Sequence, residues 1–212
     1  KHEKFYLYAA VFSIVIALVL AFINGALPFM FLFFISLAGL LYNMKIMPKG
    51  WRFQRFKDLP GSKNIFMATA WGTVTAILPA LNINNFLNAQ MIVAFGFAFG
   101  LVFIRSAMSD ILEFQSDKLI GRETIPVLFG KANTKIVLKI ISLILFAILL
   151  FSYAAGWTSS LSFFLLACLL YIWICFHLCD RKSGFSGAVM EGLLETSYII
   201  VGLSVLLWFF LR

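Results

Sequence analysis

Charged residues are scarce in this chain, and acids are the scarcest of them. Only 12% of its 212 residues are Asp, Glu, Lys or Arg, whereas soluble domains carry about 25%. Nine acids stand against seventeen lysines and arginines, and hydrophobic residues make up 62% of the chain. This scarcity of charge excludes an ordinary soluble domain and predicts an integral membrane protein.

Seven apolar runs are long enough to cross a hydrocarbon layer about 30 Å thick. Lipid offers no hydrogen bonds to the backbone, and the runs are too long and continuous for the strands of a membrane barrel. We therefore predict an all-α, polytopic transmembrane helical bundle of about seven spans, forming one domain over residues 1–212. The runs cover residues 5–23, 27–43, 64–82, 89–107, 134–155, 158–179 and 190–211.

Cysteine is scarce too, since the chain has only three, all within or at the end of the sixth run. Three cysteines in one helix predict no disulfide framework. Cys175 and Cys179 share one helical face, but His177 points about 160° away from them, which disfavours a metal site. We expect the cysteines to be small packing residues.

Lysine and arginine are unevenly distributed between the loops. If the runs alternate across the membrane, the N-terminus and the loops 44–63, 108–133 and 180–189 share one side. Sixteen of the seventeen lysines and arginines lie on that side, in these segments or in the adjoining ends of the runs. The positive-inside rule makes that side cytoplasmic. We expect a multi-pass protein of a bacterial or archaeal cell membrane, with the net charge of +8 facing anionic membrane lipid and no nucleic-acid partner.

Four of the nine acids lie in one short polar segment, residues 105–130, which we call the acidic segment. Asp110, Glu113 and Asp117 are spaced i, i+3 and i+7, so a continuous helix places the three carboxyls within about a 60° arc. Like charges on one helical face are destabilising unless a cation joins them. Mg²⁺, which prefers carboxylate oxygen, is the favoured candidate, and the alternative is a solvated turn.

The most basic part of the chain, residues 42–63, lies on the same predicted side as the acidic segment. On its own, such a loop is usually an orientation signal and a contact for anionic lipid. Carboxylates that hold Mg²⁺ beside a basic loop are, however, what a phosphorylated substrate requires. The combination favours a phosphorylated substrate bound at the cytoplasmic surface.

The order of residues in the acidic segment is specific. Its three acids are followed by Gly121, the triplet Thr124-Ile125-Pro126 and Gly130. This order resembles the second aspartate-rich motif of the UbiA family of membrane prenyltransferases, which has three acids, a glycine, a Thr-Leu-Pro-like triplet and a final glycine. Residues 41–72 resemble the basic loop and following helix of the family, and the resemblance covers essentially the whole chain.

The resemblance implies an enzyme that moves an isoprenyl group from a prenyl diphosphate to an aromatic or other lipid-precursor acceptor. Quinone-ring precursors, glycerol ethers, and haem- and chlorophyll-type acceptors all occur in the family. The resemblance further implies that Asp110, Glu113 and Asp117 are catalytic and bind Mg²⁺. Basic residues from two loops would contact the diphosphate: Arg52, Arg55, Lys57, Lys118 and Arg122.

One family feature has no counterpart in this sequence. The first motif of the family carries an asparagine and aspartates, but the only acid before Asp58 is Glu3. The family fold also has nine spans rather than seven. We expect the chain to correspond to spans three to nine, with the N-terminal hairpin and its metal motif absent, and we do not expect full activity from this chain alone.

Two other functions compete with the prenyltransferase. A CDP-alcohol phosphatidyltransferase is also a membrane bundle with acid-bound metal, but its signature begins with an Asp-Gly pair that does not occur here. A catalytically inactive membrane-binding or transport relative is the non-enzymatic alternative, supported by the missing first motif.

Glu191 and Glu195 stand one turn apart at the start of the last run. Acids at membrane depth are functional by default, but near a helix N-terminus they also interact favourably with the helix dipole. We favour this second role, with Arg181 or Lys182 as partner. We expect Arg105 to pair with an acid of the acidic segment.

Overall fold

The computed structural model describes residues 2–45, 55–81, 87–180 and 187–211. Within these ranges the regular structure is helical, apart from one isolated antiparallel bridge between Lys45 and Arg55. The helices are α1 (His2–Asn24), α2 (Ala26–Asn43), α3 (Ser62–Gly72), α4 (Leu78–Ala80), α5 (Ala89–Leu112), α6 (Phe114–Ile120), α7 (Ile125–Phe129), α8 (Lys131–Ala154), α9 (Leu161–Asp180) and α10 (Gly187–Leu211).

The predicted all-α membrane bundle is confirmed for the described part of the chain. Five helices are long and apolar enough to cross a membrane, namely α2, α5, α8, α9 and α10. The first run lies in α1, where Tyr8–Asn24 is a shorter apolar helix. The run 64–82 instead contains α3 and α4, joined by a π-helical segment, Thr73–Ile77.

Pro79 accounts for the change of helix type in this run. A proline inside a helix lacks an N–H donor, and its ring clashes with the carbonyl four residues earlier. The helix relieves the clash by widening just before Pro79, so that the N–H of Leu78 bonds to the carbonyl of Thr73, five residues back. Short π segments of this kind interrupt α-helices without ending them.

Helix α5 is the centre of the bundle. It packs against α3, α8 and α10, while α9 lies against both α8 and α10. Ile104, Ala107 and Met108 of α5 are completely buried in the resulting core. The α1–α2 hairpin joins this bundle through α2, which contacts α4 and the short 3₁₀ turn Phe56–Asp58.

The cysteines of α9 face the interior. Cys168 and Cys175 are buried in the core, and the thiol of Cys168 lies 3.5 Å from the carbonyl oxygen of Ser197 on α10. All three cysteines are free thiols. Cys168 and Cys175 therefore act as small apolar side chains that let α9 approach its neighbours closely.

Gly100 provides a test of the packing between α5 and α8. A Cβ at this position would come within 2.5 Å of Leu145 Cδ1, and Leu145 is itself buried. We predict that Gly100→Ala lowers the free energy of unfolding by about 1–3 kcal/mol, as overpacking does. Titration of the purified protein with SDS, followed by circular dichroism, measures this change.

Gly96 is the matched control, one turn earlier on the same helix. A Cβ there would meet no atom within 4 Å, so Gly96→Ala should gain up to about 1 kcal/mol of helix propensity. Equal unfolding free energies for the two variants would contradict the close approach of α8 at Gly100.

Candidate functional site

A polar cavity of about 850 Å³ lies between the start of α3, the end of α5 and the segment from α6 to α7. We call it the polar cavity. Its walls combine both signs of charge in close proximity. Among the described residues, the cationic side chains lining it are Arg55, Lys57, Lys63 and Arg122, and the acidic ones are Asp58, Asp110, Asp117 and Glu123.

Asp110 is held in place by two residues at the start of α3. Only 2% of Asp110 is exposed. Lys63 Nζ lies 2.9 Å from Asp110 Oδ1, and Asn64 Nδ2 donates to Oδ2 over 2.8 Å. The Ser106 hydroxyl donates in turn to Asn64 Oδ1 over 2.8 Å. We refer to Lys63, Asn64, Ser106 and Asp110 as the α3–α5 clamp.

The turn before α3 places Lys63 and Asn64 for this purpose. Gly61 has φ +70°, a left-handed conformation that glycine adopts without strain. Its carbonyl accepts the backbone N–H of Asn64, so the helix starts immediately after the turn. Lys63 and Asn64 therefore project from the first turn of α3 towards the end of α5.

One carboxylate oxygen of Asp117 accepts no hydrogen bond from the protein. It lies in α6 and is 2% exposed. Its Oδ1 is 3.7 Å from Nη1 of Arg122, a largely exposed side chain, so this ion pair is weak. Its Oδ2 is buried and has no hydrogen-bond partner. A buried carboxylate oxygen without a donor is costly, and a cation in the polar cavity would satisfy it.

Glu113 does not share a continuous helical face with the other two acids. Helix α5 ends at Leu112 and α6 begins at Phe114, so the backbone of Glu113 (φ −81°, ψ 1°) is a junction between them. The Glu113 side chain is exposed and does not line the polar cavity. The expectation of one uninterrupted helical face is therefore wrong, because the helix is interrupted at this residue.

The predicted cationic residues do not all line the polar cavity either. Arg55, Lys57 and Arg122 line the polar cavity, whereas Lys118 is exposed and lies outside its lining. Arg52 lies outside the described residues. The structure thus brings two of the three predicted acids and three of the five predicted cations to one cavity.

Several residues of the site were missed in the sequence. Lys63 and Asn64 lie in the first turn of the helix that begins after Pro60-Gly61. A polar asparagine at the start of a predicted membrane span was the available signal of a functional residue. Tyr42 also lines the cavity: its hydroxyl lies 3.2 Å from Ser62 Oγ, and its ring stacks on Phe66 at 4.6 Å. The aromatic pair fixes the end of α2 against α3.

Arg105 pairs with a different acid from the one expected. It forms an ion pair with Glu195 of α10, and the Ser109 hydroxyl donates to Glu191 Oε1 over 3.2 Å. The predicted pairing of Arg105 with the acidic segment is wrong because Arg105 lies on the side of α5 that faces α10. Arg181 and Lys182, the partners expected for the two glutamates, lie outside the described residues.

The donor set suits Mg²⁺ only in part. Among the described residues, no three His, Cys, Asp or Glu side chains come together as a metal site. Mg²⁺ is usually held by one or two carboxylates together with substrate phosphates. Asp117, with its unpaired oxygen, and Asp110, at the same cavity, match that minimal protein contribution. The remaining ligands would come from a bound phosphate and water.

Comparison with known proteins identifies one family. The model of the UbiA prenyltransferase family matches residues 2–188. No match is found among curated proteins or among solved structures. The matched range includes every residue that the structure places around the polar cavity.

The α3–α5 clamp predicts a measurable coupling between Asn64 and Asp110. Asn64→Ala leaves a buried carboxylate oxygen and the Ser106 hydroxyl without their partner, and should cost about 1–3 kcal/mol of stability. In an Asp110→Ala background the same change should cost less, because no carboxylate remains to be satisfied. The double-mutant cycle, measured by SDS unfolding, should give a coupling of about 1 kcal/mol or more.

Thr69→Ala is the matched control for this cycle. Thr69 is exposed on the same helix and its hydroxyl donates only to Ile65 of that helix, so its loss should change stability by less than about 0.5 kcal/mol. Additive effects of Asn64→Ala and Asp110→Ala would contradict the clamp.

Proposed function

Because the chain belongs to the UbiA prenyltransferase family, we propose that it transfers an isoprenyl group from a prenyl diphosphate to a hydrophobic acceptor, with Mg²⁺ as cofactor. The acceptor is an aromatic or other lipid precursor, such as the ring of a quinone. Family membership supports the class of reaction. The observation that supports a diphosphate substrate is the polar cavity, where two buried carboxylates face three predicted cationic side chains.

A diphosphate group fits the polar cavity by size and by charge. Its volume of about 850 Å³ lies within the range of roughly 300–1,000 Å³ that ligand pockets cover. Arg55 and Lys57 come from the segment before α3, and Arg122 from the turn after α6. Cations approaching from two sides of a cavity can bind several phosphate oxygens at once.

The two carboxylates provide ligands for a metal ion, which the cationic side chains cannot do. Asp117 offers its unpaired oxygen to Mg²⁺, and Asp110 is the second carboxylate at the same cavity. When bound, the metal would neutralise phosphate charge and help the diphosphate to depart. The Lys63 side chain is half exposed, and its ammonium group has three donors, so it can hold Asp110 and also donate to a phosphate oxygen.

The chemistry of the reaction requires charge stabilisation on the leaving group. As the bond between the allylic carbon and the diphosphate oxygen breaks, negative charge accumulates on the diphosphate. Arg55, Lys57 and Arg122, already oriented around the cavity, stabilise that charge. The allylic carbon becomes cationic and is attacked by the electron-rich acceptor, which then loses a proton.

Glu113 and Lys118 remain proposed site residues on the basis of the sequence motif alone. Glu113 lies at the junction of α5 and α6, one residue beyond a helix end, where a change of backbone angle would redirect its side chain. We place the polar cavity at the cytoplasmic face of a cell membrane, in line with the distribution of Lys and Arg.

A transfer assay tests the proposal. Membranes containing the full-length protein are incubated with radiolabelled prenyl diphosphate and a panel of acceptors, with Mg²⁺ or with EDTA. We expect transfer only with Mg²⁺, and a loss of at least about 100-fold in Asp110→Ala and Asp117→Ala, because each removes a carboxylate that would hold the Mg²⁺ needed to neutralise the departing diphosphate.

Glu191→Gln is the matched control, since Glu191 lies outside the polar cavity and glutamine can still accept from Ser109. It should retain transfer within a few-fold. Undiminished transfer in both aspartate variants would refute the assigned roles. Absence of transfer with every acceptor would instead support an inactive membrane-binding or transport relative. The match to the family leaves the CDP-alcohol phosphatidyltransferase without support.

A further inference from the structure

Three buried side-chain atoms in the described part of the chain have no hydrogen-bond partner, namely Arg105 Nε, Asp117 Oδ2 and Thr124 Oγ1. Arg105 lies on the side of α5 that faces α10, whereas Asp117 and Thr124 both line the polar cavity. Asp117 is a proposed ligand of Mg²⁺, but Thr124 has no assigned role. A buried hydroxyl without a partner is costly in free energy, which suggests that a ligand provides the partner.

Thr124 is the N-cap residue of α7, yet its hydroxyl does not cap the helix. A threonine at this position usually accepts a hydrogen bond from the backbone N–H two or three residues later. The residue two positions later is Pro126, which has no N–H. The N–H of Val127, three positions later, donates to the backbone carbonyl of Thr124 over 3.0 Å. The start of α7 therefore offers the hydroxyl no donor.

The other threonines of the chain behave differently. Each of them forms a hydrogen bond through its hydroxyl, and most donate to a carbonyl three or four residues earlier in the same helix. These residues are Thr69, Thr73, Thr75, Thr134, Thr158 and Thr196. Thr124 has extended backbone angles (φ −82°, ψ 162°) and no helical turn directly before it. Its hydroxyl thus lacks the acceptor that most of the others use.

The turn after α6 brings Thr124 to the same cavity as Asp117. Gly121 ends α6 with φ +76°, and the N–H of Arg122 donates to the carbonyl of Asp117 over 2.9 Å. A hydrogen bond from the Thr124 hydroxyl to Asp117 Oδ2 would satisfy both groups, but neither atom has a partner. A ligand that satisfies both must offer an acceptor to the hydroxyl and a positive charge to the carboxylate.

A phosphate group bound together with Mg²⁺ offers both. We propose that the Thr124 hydroxyl donates a hydrogen bond to a phosphate oxygen of the diphosphate whose Mg²⁺ is held by Asp117. This inference rests on the proposed function and adds a neutral donor to the cationic side chains of the polar cavity. The hydroxyl has one proton to donate, so it holds a single phosphate oxygen, whereas the guanidinium of Arg122 can contact several.

Binding of ³²P-labelled inorganic diphosphate measures this contact, with the full-length protein in phosphatidylcholine nanodiscs at saturating Mg²⁺. Thr124→Val keeps the shape of the side chain and replaces its hydroxyl with a methyl group. The affinity should fall at least about tenfold, because a hydrogen bond to a charged group is lost. Thr124→Ser, which keeps the hydroxyl, should stay within about threefold of the wild type. Thr124→Ala should match Thr124→Val, which guards against a steric effect of the added methyl group.

Stability provides the second readout. Thr124→Val removes a hydroxyl that has no partner in the protein, so the free energy of unfolding in SDS should not fall. Thr134→Val is the matched control. Thr134 is 2% exposed, lies outside the lining of the polar cavity, and donates to the carbonyl of Gly130 over 2.9 Å. Its replacement should lower stability and leave the affinity for diphosphate within about twofold.

The outcomes separate the two proposals. If the wild-type protein does not bind inorganic diphosphate with Mg²⁺, the proposed function itself fails. If the wild type binds and both Thr124→Val and Thr124→Ala retain its affinity within about twofold, the inference is overturned. A loss that higher Mg²⁺ concentrations restore would overturn it too, because the hydroxyl would then contact a metal-bound water and not a phosphate oxygen.

Discussion

The buried carboxylate of Asp110 is the constraint on which the rest of the site depends. A charge placed where only 2% of its residue is exposed is costly unless it is paired and hydrogen-bonded. Lys63 provides the opposite charge and Asn64 the remaining donor, and both lie in the first turn of α3. Satisfying this one group therefore fixes α3 against the end of α5, and with it the basic turn before α3 that forms one wall of the polar cavity.

Helix α5 has polar contacts on two sides, and the side facing α3 opens into the polar cavity. Asp110 and Ser106 face α3, whereas Arg105 and Ser109 face Glu195 and Glu191 of α10. The contacts to α10 are direct pairs between side chains and so hold the central helix in the bundle. On the side facing α3, the firmly held groups lie at the same cavity as the unpaired oxygen of Asp117 in α6, which is the combination expected where a charged ligand binds.

Much of the fold followed from the sequence because long apolar runs leave a membrane chain few alternatives to helices. The meeting of Asp110 and Asp117 with Arg55, Lys57 and Arg122 also followed, since those residues flank the same ends of predicted spans. Side-chain pairs far apart in the sequence could not be predicted. Arg105 and Glu195 are an example, because spacing along one helix does not reveal which neighbour packs on which side.

Local backbone geometry limited the prediction in a different way. The prediction from the spacing of the three acids assumed one continuous helix, but the helix is interrupted at Glu113, and that carboxylate does not line the polar cavity. Pro79 signalled the interruption before α4, whereas the residues around Glu113 include no proline or glycine that would have signalled a break. Helix breaks without such residues arise from tertiary packing, which the spacing of residues along the chain does not reveal.

The central claim is that the polar cavity binds a diphosphate between its cations and a metal ion on its carboxylates. An experimental structure of the full-length protein with Mg²⁺ and a non-cleavable thio analogue of a prenyl diphosphate tests it most directly. The account predicts phosphate density among Arg55, Lys57 and Arg122, with the metal ion on Asp117. Density for the diphosphate on the α10 side of α5, or a metal ion that contacts neither Asp110 nor Asp117, would contradict it.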